Sequence, residues 1–154
     1  MKIFSKQKNS RMCMICGLDN EYGVNAPFYN MEDGSVMTVF RYKEQHQSYP
    51  GRVHGGMITA MLDEMGLRSL WAKELSEETF GVTISLDTKY RKPVPYETEL
   101  IGRGVVVKNT SHFIITDSYI MDKDGEILAN GRIKYIKMDT QKIQEGVEVH
   151  EEMP

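Results

Sequence analysis

From Gly56 to about Leu75 the residues Met57, Ile58, Met61, Leu62, Met65, Leu70, Trp71 and Leu75 recur at roughly helical spacing, with no proline among them. That pattern predicts a helix about 27 Å long at roughly 1.5 Å per residue. Ala60 and Ala72 favour the same state. The apolar positions spill well beyond one face, so this helix needs cover on most of its circumference.

After it the period changes to two. Val82, Ile84, Leu86, Thr88 and Tyr90 alternate with Thr83, Ser85, Asp87 and Lys89, the pattern of a half-buried strand that ends at Pro93-Val94-Pro95. Further β runs are predicted over 100–107, 112–121 and 128–137, the last with Ala129, Gly131, Ile133 and Tyr135 alternating against Asn130, Arg132 and Lys134. Before the helix, Asp33-Gly34 separates two β-prone runs, 26–31 and 35–42, and predicts a hairpin. Pro50-Gly51 marks a turn in the polar stretch that follows. One apolar helix among antiparallel strands implies an α+β fold in which a curved antiparallel sheet wraps one long central helix.

At 154 residues the chain has room for one ordinary domain. Residues 1–24 read as an N-terminal arm and loop, 25–138 as the folded domain, and 139–154, with five acidic residues and one lysine, as a mobile tail. A formal net charge of -3 removes any global electrostatic case for nucleic-acid binding. No apolar run is long enough for a membrane span, and the basic N-terminus lacks the apolar core of a secretory signal. The expectation is a cytoplasmic protein with reduced thiols. Its two cysteines form the Cys13-Met14-Ile15-Cys16 motif, two ligands where zinc takes four. The pair is therefore expected to be structural or incidental; a metal shared between subunits and a redox role stay open, and no metal is assigned.

The candidate chemistry lies at the start and in the middle of the helix. Gly55 and Gly56 open it, so their N–H groups lack intrahelical partners and sit at the positive end of the helix dipole. Glycine lets a ligand approach that backbone without a Cβ in the way. Such N–H groups suit an oxyanion, Gly56 first and Gly55 with it; the plain alternative is a sharp entry to the helix. Asp63 falls two turns in, among Met61, Leu62 and Met65, where an unpartnered carboxylate is costly and calls for a reason. Its neighbour Glu64 fits an exposed position better.

The run His54-Gly55-Gly56-Met57-Ile58-Thr59-Ala60-Met61-Leu62-Asp63 resembles the HGG-x6-D segment of PaaI-type acyl-CoA thioesterases, in the 4-hydroxybenzoyl-CoA thioesterase superfamily. The approach His46-Gln47-Ser48-Tyr49-Pro50-Gly51 resembles that family's HQ…PG loop, and Tyr90-Arg91-Lys92-Pro93 its Y-x-x-P strand end. Cys-x-x-Cys-Gly occurs in one branch of the family, and the likeness runs from about Cys13 to Met138. The resemblance implies the hotdog fold and hydrolysis of an acyl-CoA thioester, with Asp63 as nucleophile or general base. It implies a hydroxyl at Thr83 assisting the water, and it puts Ser48 where some relatives carry an amide, which here stands at Gln47. His54 orients the thioester or simply its own loop. Arg91, Lys92, Arg132 and Lys134 are candidates for the coenzyme A phosphates, surface solvation being the plain alternative for each. The implied partners are the acyl-CoA substrate and a second copy of the chain, as a homodimer or a dimer of dimers with sites at the subunit interface. Coenzyme A enters as part of the substrate and no separate cofactor is expected. A non-catalytic acyl-CoA-binding protein is the alternative reading, and a hotdog dehydratase a more distant one.

Overall fold

The structure is a computed structural model and describes residues 1–138; the acidic segment 139–154 lies outside the described residues. One helix, α1 (Gly55–Glu74), lies against a seven-stranded antiparallel sheet. The strands are β1 (Ile3–Lys6), β2 (Tyr29–Met31), β3 (Val36–Phe40), β6 (Phe80–Tyr90), β7 (Leu100–Asn109), β8 (Phe113–Met121) and β9 (Ile127–Met138). A separate small hairpin, β4 (Gln47–Tyr49) with β5 (Arg52–Val53), turns at Pro50-Gly51, where Gly51 has φ 84. The sheet order is β1-β2-β3-β7-β8-β9-β6, which leaves β1 and β6 as its two edges. This is the expected α+β arrangement of a helix held in a curved antiparallel sheet.

The Asp33-Gly34 hairpin forms as its sequence predicts, with Gly34 at φ 78 and Ser35 bonded to Asp33. Strand β1 lies within the segment read as an arm. It is short and mostly exposed, so it has no period-two signature; it is held by pairing with β2. The loop that follows β1 sends Ile15, Cys16 and Val24 into the core. Leu75, read as the last apolar position of the helix, is instead its exposed left-handed C-cap at φ 52, with its N–H bonded to the Trp71 carbonyl. The helix also buries a charge, Arg68, which no apolar periodicity signals.

The core forms where Ile58, Met61, Leu62 and Met65 meet the inner face of the sheet. Close approach there depends on absent side chains. A Cβ at Gly104 would lie 2.5 Å from the Met65 carbonyl oxygen, and one at Gly66 would lie 2.2 Å from the Tyr135 hydroxyl. Helix backbone thus sits almost on strand backbone at β7.

Strand β6 departs from the half-buried expectation. Val82 is 46% and Ile84 48% exposed, because β6 is an edge whose outer face nothing among the described residues covers. The alternation is also broken. Thr83 pairs with Tyr135 and Ser85 with Lys134, so the ladder carries a bulge between them. The extra residue turns Thr83 to the helix side, with Leu86, Thr88 and Tyr90, while Val82 faces away.

The Met65 carbonyl cannot move without shifting the helix, so Gly104→Ala is expected to cost about 1–3 kcal/mol, seen as a lower urea midpoint with an unchanged slope. Gly131→Ala, whose Cβ would stand at ordinary contact distance from Leu62 Cδ1 at 3.4 Å and the Asp87 carbonyl oxygen at 3.5 Å, is expected to cost less.

Candidate active site

The helix start is built by two histidines. His54 is the N-cap, with φ -62 and ψ 134, and its Nδ1 accepts from the Gly56 N–H at 2.9 Å. Its own N–H donates to the His46 carbonyl at 2.8 Å. His46 is buried edge-on against Tyr42; its Nδ1 accepts from the Lys43 N–H at 3.0 Å and its Nε2 donates to the Tyr22 carbonyl at 2.6 Å. This fixes the loop ahead of the glycines. The Gly56 donor, first choice for an oxyanion from the sequence, is thus engaged by His54. The Gly55 N–H has no partner among the described residues, and Gly55 lines a surface cleft of about 370 Å³. Ser48, Arg52, Tyr90, Arg91 and Lys92 share that cleft.

Tyr90 and Arg52 are contributions that the sequence reading missed. The Tyr90 hydroxyl donates to the Gly55 carbonyl at 3.0 Å and lies 2.7 Å from Thr59 Oγ1, which in turn donates to Thr88 at 3.1 Å. The signal available for Tyr90 was its place in the alternating strand, facing the helix start.

Asp63 lies half-buried farther along α1 and faces β6. Thr83 Oγ1 donates to Asp63 Oδ1 at 2.8 Å, so these two predicted residues do meet. Tyr135, also missed, donates its hydroxyl to the Asp63 backbone carbonyl at 2.5 Å and pins that turn of the helix. Burial pushes the Asp63 carboxyl above its ordinary value; the Thr83 hydrogen bond opposes the shift and Glu64 adds to it. Glu64 points elsewhere: its Oε1 accepts from Arg68 Nε at 2.7 Å, and its Oε2 lies 4.0 Å from Cys13 Sγ. The hydrogen bond from Cys13 draws the Cys16 thiol down to about 6 against the effect of burial, helped by the Arg68 charge, while Cys13 moves up.

The four candidate cations divide into two groups. Arg91, bonded to Asn130 Oδ1 at 2.6 Å, and Lys92, paired with Glu126, border the cleft beside Gly55. Arg132 and Lys134 lie on the outer face of β9: Arg132 grips Asp117 through two bonds of 2.7 Å, and Lys134 covers the Phe113 ring at 4.5 Å. Within one chain, then, the site has two parts. Gly55 and Asp63 are eight residues apart on one helix, about 12 Å along its axis.

Residues 50–129, just over half the chain and including the helix start, Asp63 and Thr83, match the family described as Thioesterase superfamily. The chain belongs to the thioesterase superfamily. This superfamily member is 26% identical over 127 residues to the acyl-coenzyme A thioesterase THEM4 of Rattus norvegicus, covering 82% of this chain and 52% of that one. It is 23% identical over 100 residues to the Homo sapiens acyl-coenzyme A thioesterase 13, covering 64% of this chain and 70% of the relative. The chain spans about half the length of the THEM4 relatives that it matches. Among solved structures, a thioesterase superfamily protein superposes with a TM-score of 0.72 at 23% identity, covering 84% of this chain and 69% of that one. A hypothetical thioesterase from Streptococcus pneumoniae TIGR4, solved with coenzyme A, gives a TM-score of 0.63 at 20% identity, covering 75% and 87%. These likenesses show the hotdog fold.

Because the Asp63 pKa is higher folded than unfolded, the folded chain holds that proton more tightly, and ionising Asp63 costs stability. The cost is full above the folded pKa and vanishes below the unfolded value near 3.8. Asp63→Asn is therefore expected to raise the urea midpoint at neutral pH, with the gain over wild type shrinking as pH falls towards that value.

Proposed function

We propose that this chain hydrolyses acyl-CoA thioesters at a site assembled from two copies of itself. The observation that carries the reading is the spacing within one chain. A thioester carbon must lie near both the oxyanion donors and the activated water or nucleophile, and a gap of about 12 Å between Gly55 and Asp63 is too wide for one carbonyl. The free β6 edge supports the second copy. It is long, it carries exposed Val82 and Ile84, and its outward backbone groups have no strand partner among the described residues. Pairing two such edges antiparallel brings the helix start of one protomer towards the Asp63 and Thr83 of the other. The product is a homodimer, or a dimer of dimers if its outer faces also associate.

In this site the acyl carbonyl lies at the Gly55 N–H. The Gly56 N–H joins it by exchanging His54 Nδ1 for the developing oxyanion. Asp63 acts from the other protomer as general base on a water, or as nucleophile, with Thr83 fixing the orientation of its carboxylate. Ser48, at the mouth of the cleft, stands nearest to the position of a second water-orienting group. Arg91, Lys92 and Arg52 offer cations to the coenzyme A phosphates, whereas Arg132 and Lys134 are committed to the outer face of β9. No separate cofactor takes part, and the reading retains the cytoplasmic location expected from the sequence.

Thiol release from a panel of acyl-CoA thioesters tests the reaction. Asp63→Asn is expected to lower turnover about 10²–10⁴-fold while the chain stays folded; tight acyl-CoA binding without turnover in the wild type would instead mark a binding protein. Gly55→Pro removes one N–H at the first helical position, after a residue already extended at ψ 134, so the helix tolerates it. Its expected cost is about 10²–10³-fold. Mixing the two inactive variants tests the shared site, because random reassociation restores about a quarter of wild-type activity only if each site draws on two chains. Finally, Thr83→Val removes the bond that holds the Asp63 pKa down, so the acid limb of the rate profile is expected to move to higher pH.

A further inference from the structure

Asp63 and Glu64 are adjacent on α1 but face different neighbours around it. Asp63 meets β6, and Glu64 meets the N-terminal loop, where Cys13 Sγ, Cys16 Sγ and a Glu64 carboxylate oxygen all lie within 4.8 Å of one another. We propose that Cys13, Cys16 and Glu64 bind a thiophilic divalent cation of the Zn²⁺ class, which fastens the N-terminal loop to the middle of the central helix.

The spacing fits such an ion. A tetrahedral centre with bonds of about 2.3 Å to sulfur and about 2.1 Å to oxygen holds its ligand atoms roughly 3.6–3.8 Å apart. Cys13 Sγ and Glu64 Oε2 are 4.0 Å apart, so closing on a cation takes small side-chain rotations.

The two sulfurs are held by a built turn. The Ile15 and Cys16 N–H groups point at Cys13 Sγ at 3.3 and 3.5 Å, and donors in that position offset the charge of a thiolate. The Gly17 N–H donates to the Cys13 carbonyl at 2.8 Å, and a Cβ on Gly17 would lie 2.4 Å from that same oxygen, so the tight turn requires glycine. Ser10 Oγ accepts from the Cys13 N–H at 3.2 Å and lies 3.4 Å from Cys16 Sγ. Buried Asn9 anchors the turn from below, donating to the Cys16 carbonyl at 2.6 Å and the Ala26 carbonyl at 3.0 Å.

Charge is matched as well. Arg68 is 3% exposed and stacks on Phe28; it occupies Glu64 Oε1 and leaves Oε2 turned towards Cys13. With a divalent cation bound, the ion, two thiolates, one carboxylate and Arg68 sum to zero. No net charge is then left in the interior, which avoids the main penalty of burying an ion. Three protein ligands leave the fourth position to a water, and half-exposed Cys13 is the side from which ion and water enter. The bound ion is structural: Glu64 faces away from Thr83, and the ion supplies no step of the hydrolysis.

The test uses the reduced, chelator-stripped full-length chain titrated with Co²⁺ and then Zn²⁺. One equivalent of Co²⁺ is expected to give thiolate-to-cobalt charge-transfer absorption, and Zn²⁺ is expected to displace it. Zn²⁺ should also protect both thiols from alkylation and raise the Tm. Cys13→Ser and Cys16→Ser are expected to abolish the charge-transfer signal. Glu64→Gln, which keeps both sulfurs and the shape of the side chain, is expected to weaken Zn²⁺ binding by more than about tenfold. A reduced, folded wild type that shows no stoichiometric charge-transfer signal would overturn the proposal, and so would Zn²⁺ affinity unchanged in Glu64→Gln.

Discussion

The close seating of α1 on the sheet is the constraint on which the rest of the molecule depends. At Gly104 the helix backbone approaches β7 so closely that even a methyl group would meet the Met65 carbonyl at 2.5 Å. That contact sets the depth of the helix in the curve of the sheet. The same depth lets the Tyr135 hydroxyl reach the backbone of Asp63 over Gly66. A helix standing farther off would leave Asp63 in water and Thr83 without its partner. Packing at the core and chemistry at the edge are thus one geometric condition, transmitted through a rigid, well-filled interior.

The second determinant is an irregularity. A regular β6 would place Thr83 on the face opposite Leu86, Thr88 and Tyr90. The bulge between Thr83 and Ser85 brings all four to the helix side, where they meet Asp63 at one end of the strand and Gly55 at the other. It also turns Val82 outward beside Ile136, so the strand that carries the site presents an apolar edge. Burying that edge against a second copy and completing the site are the same event in the proposed mechanism.

The paired carboxylates of α1 show how one helix serves two purposes. A step of one residue turns the side chain by about 100°. Asp63 therefore faces a desolvating wall that raises its pKa and a threonine that opposes the shift, whereas Glu64 faces a buried guanidinium and two sulfurs. In the proposed roles one carboxylate transfers a proton and the other holds charge in place. The environment separates them, since their side chains differ by one methylene.

The central helix, the Asp33-Gly34 hairpin and the long strands were legible in the sequence because local periodicity and turn chemistry report directly on them. So were the glycines at the helix start and the costly carboxylate at Asp63, since backbone donors at a helix terminus and a charge among methionines can be read from neighbours in sequence. Strand β1 was not legible, because pairing holds it without burying a periodic face. The engagement of Gly56 by His54 depends on one imidazole rotamer, and the roles of Tyr90 and Tyr135 depend on which residues their strands place opposite the helix. The bulge in β6 leaves no local mark, as it arises from registering eleven residues against β9. The pair Arg68–Glu64 is a local i,i+4 contact, but the burial of Arg68 and its meeting with Cys16, 52 positions away, were decided only by folding. Sequence by itself determined the elements and the chemistry available; tertiary structure decided which side chains meet, because contact between distant segments is a property of packing and not of local pattern.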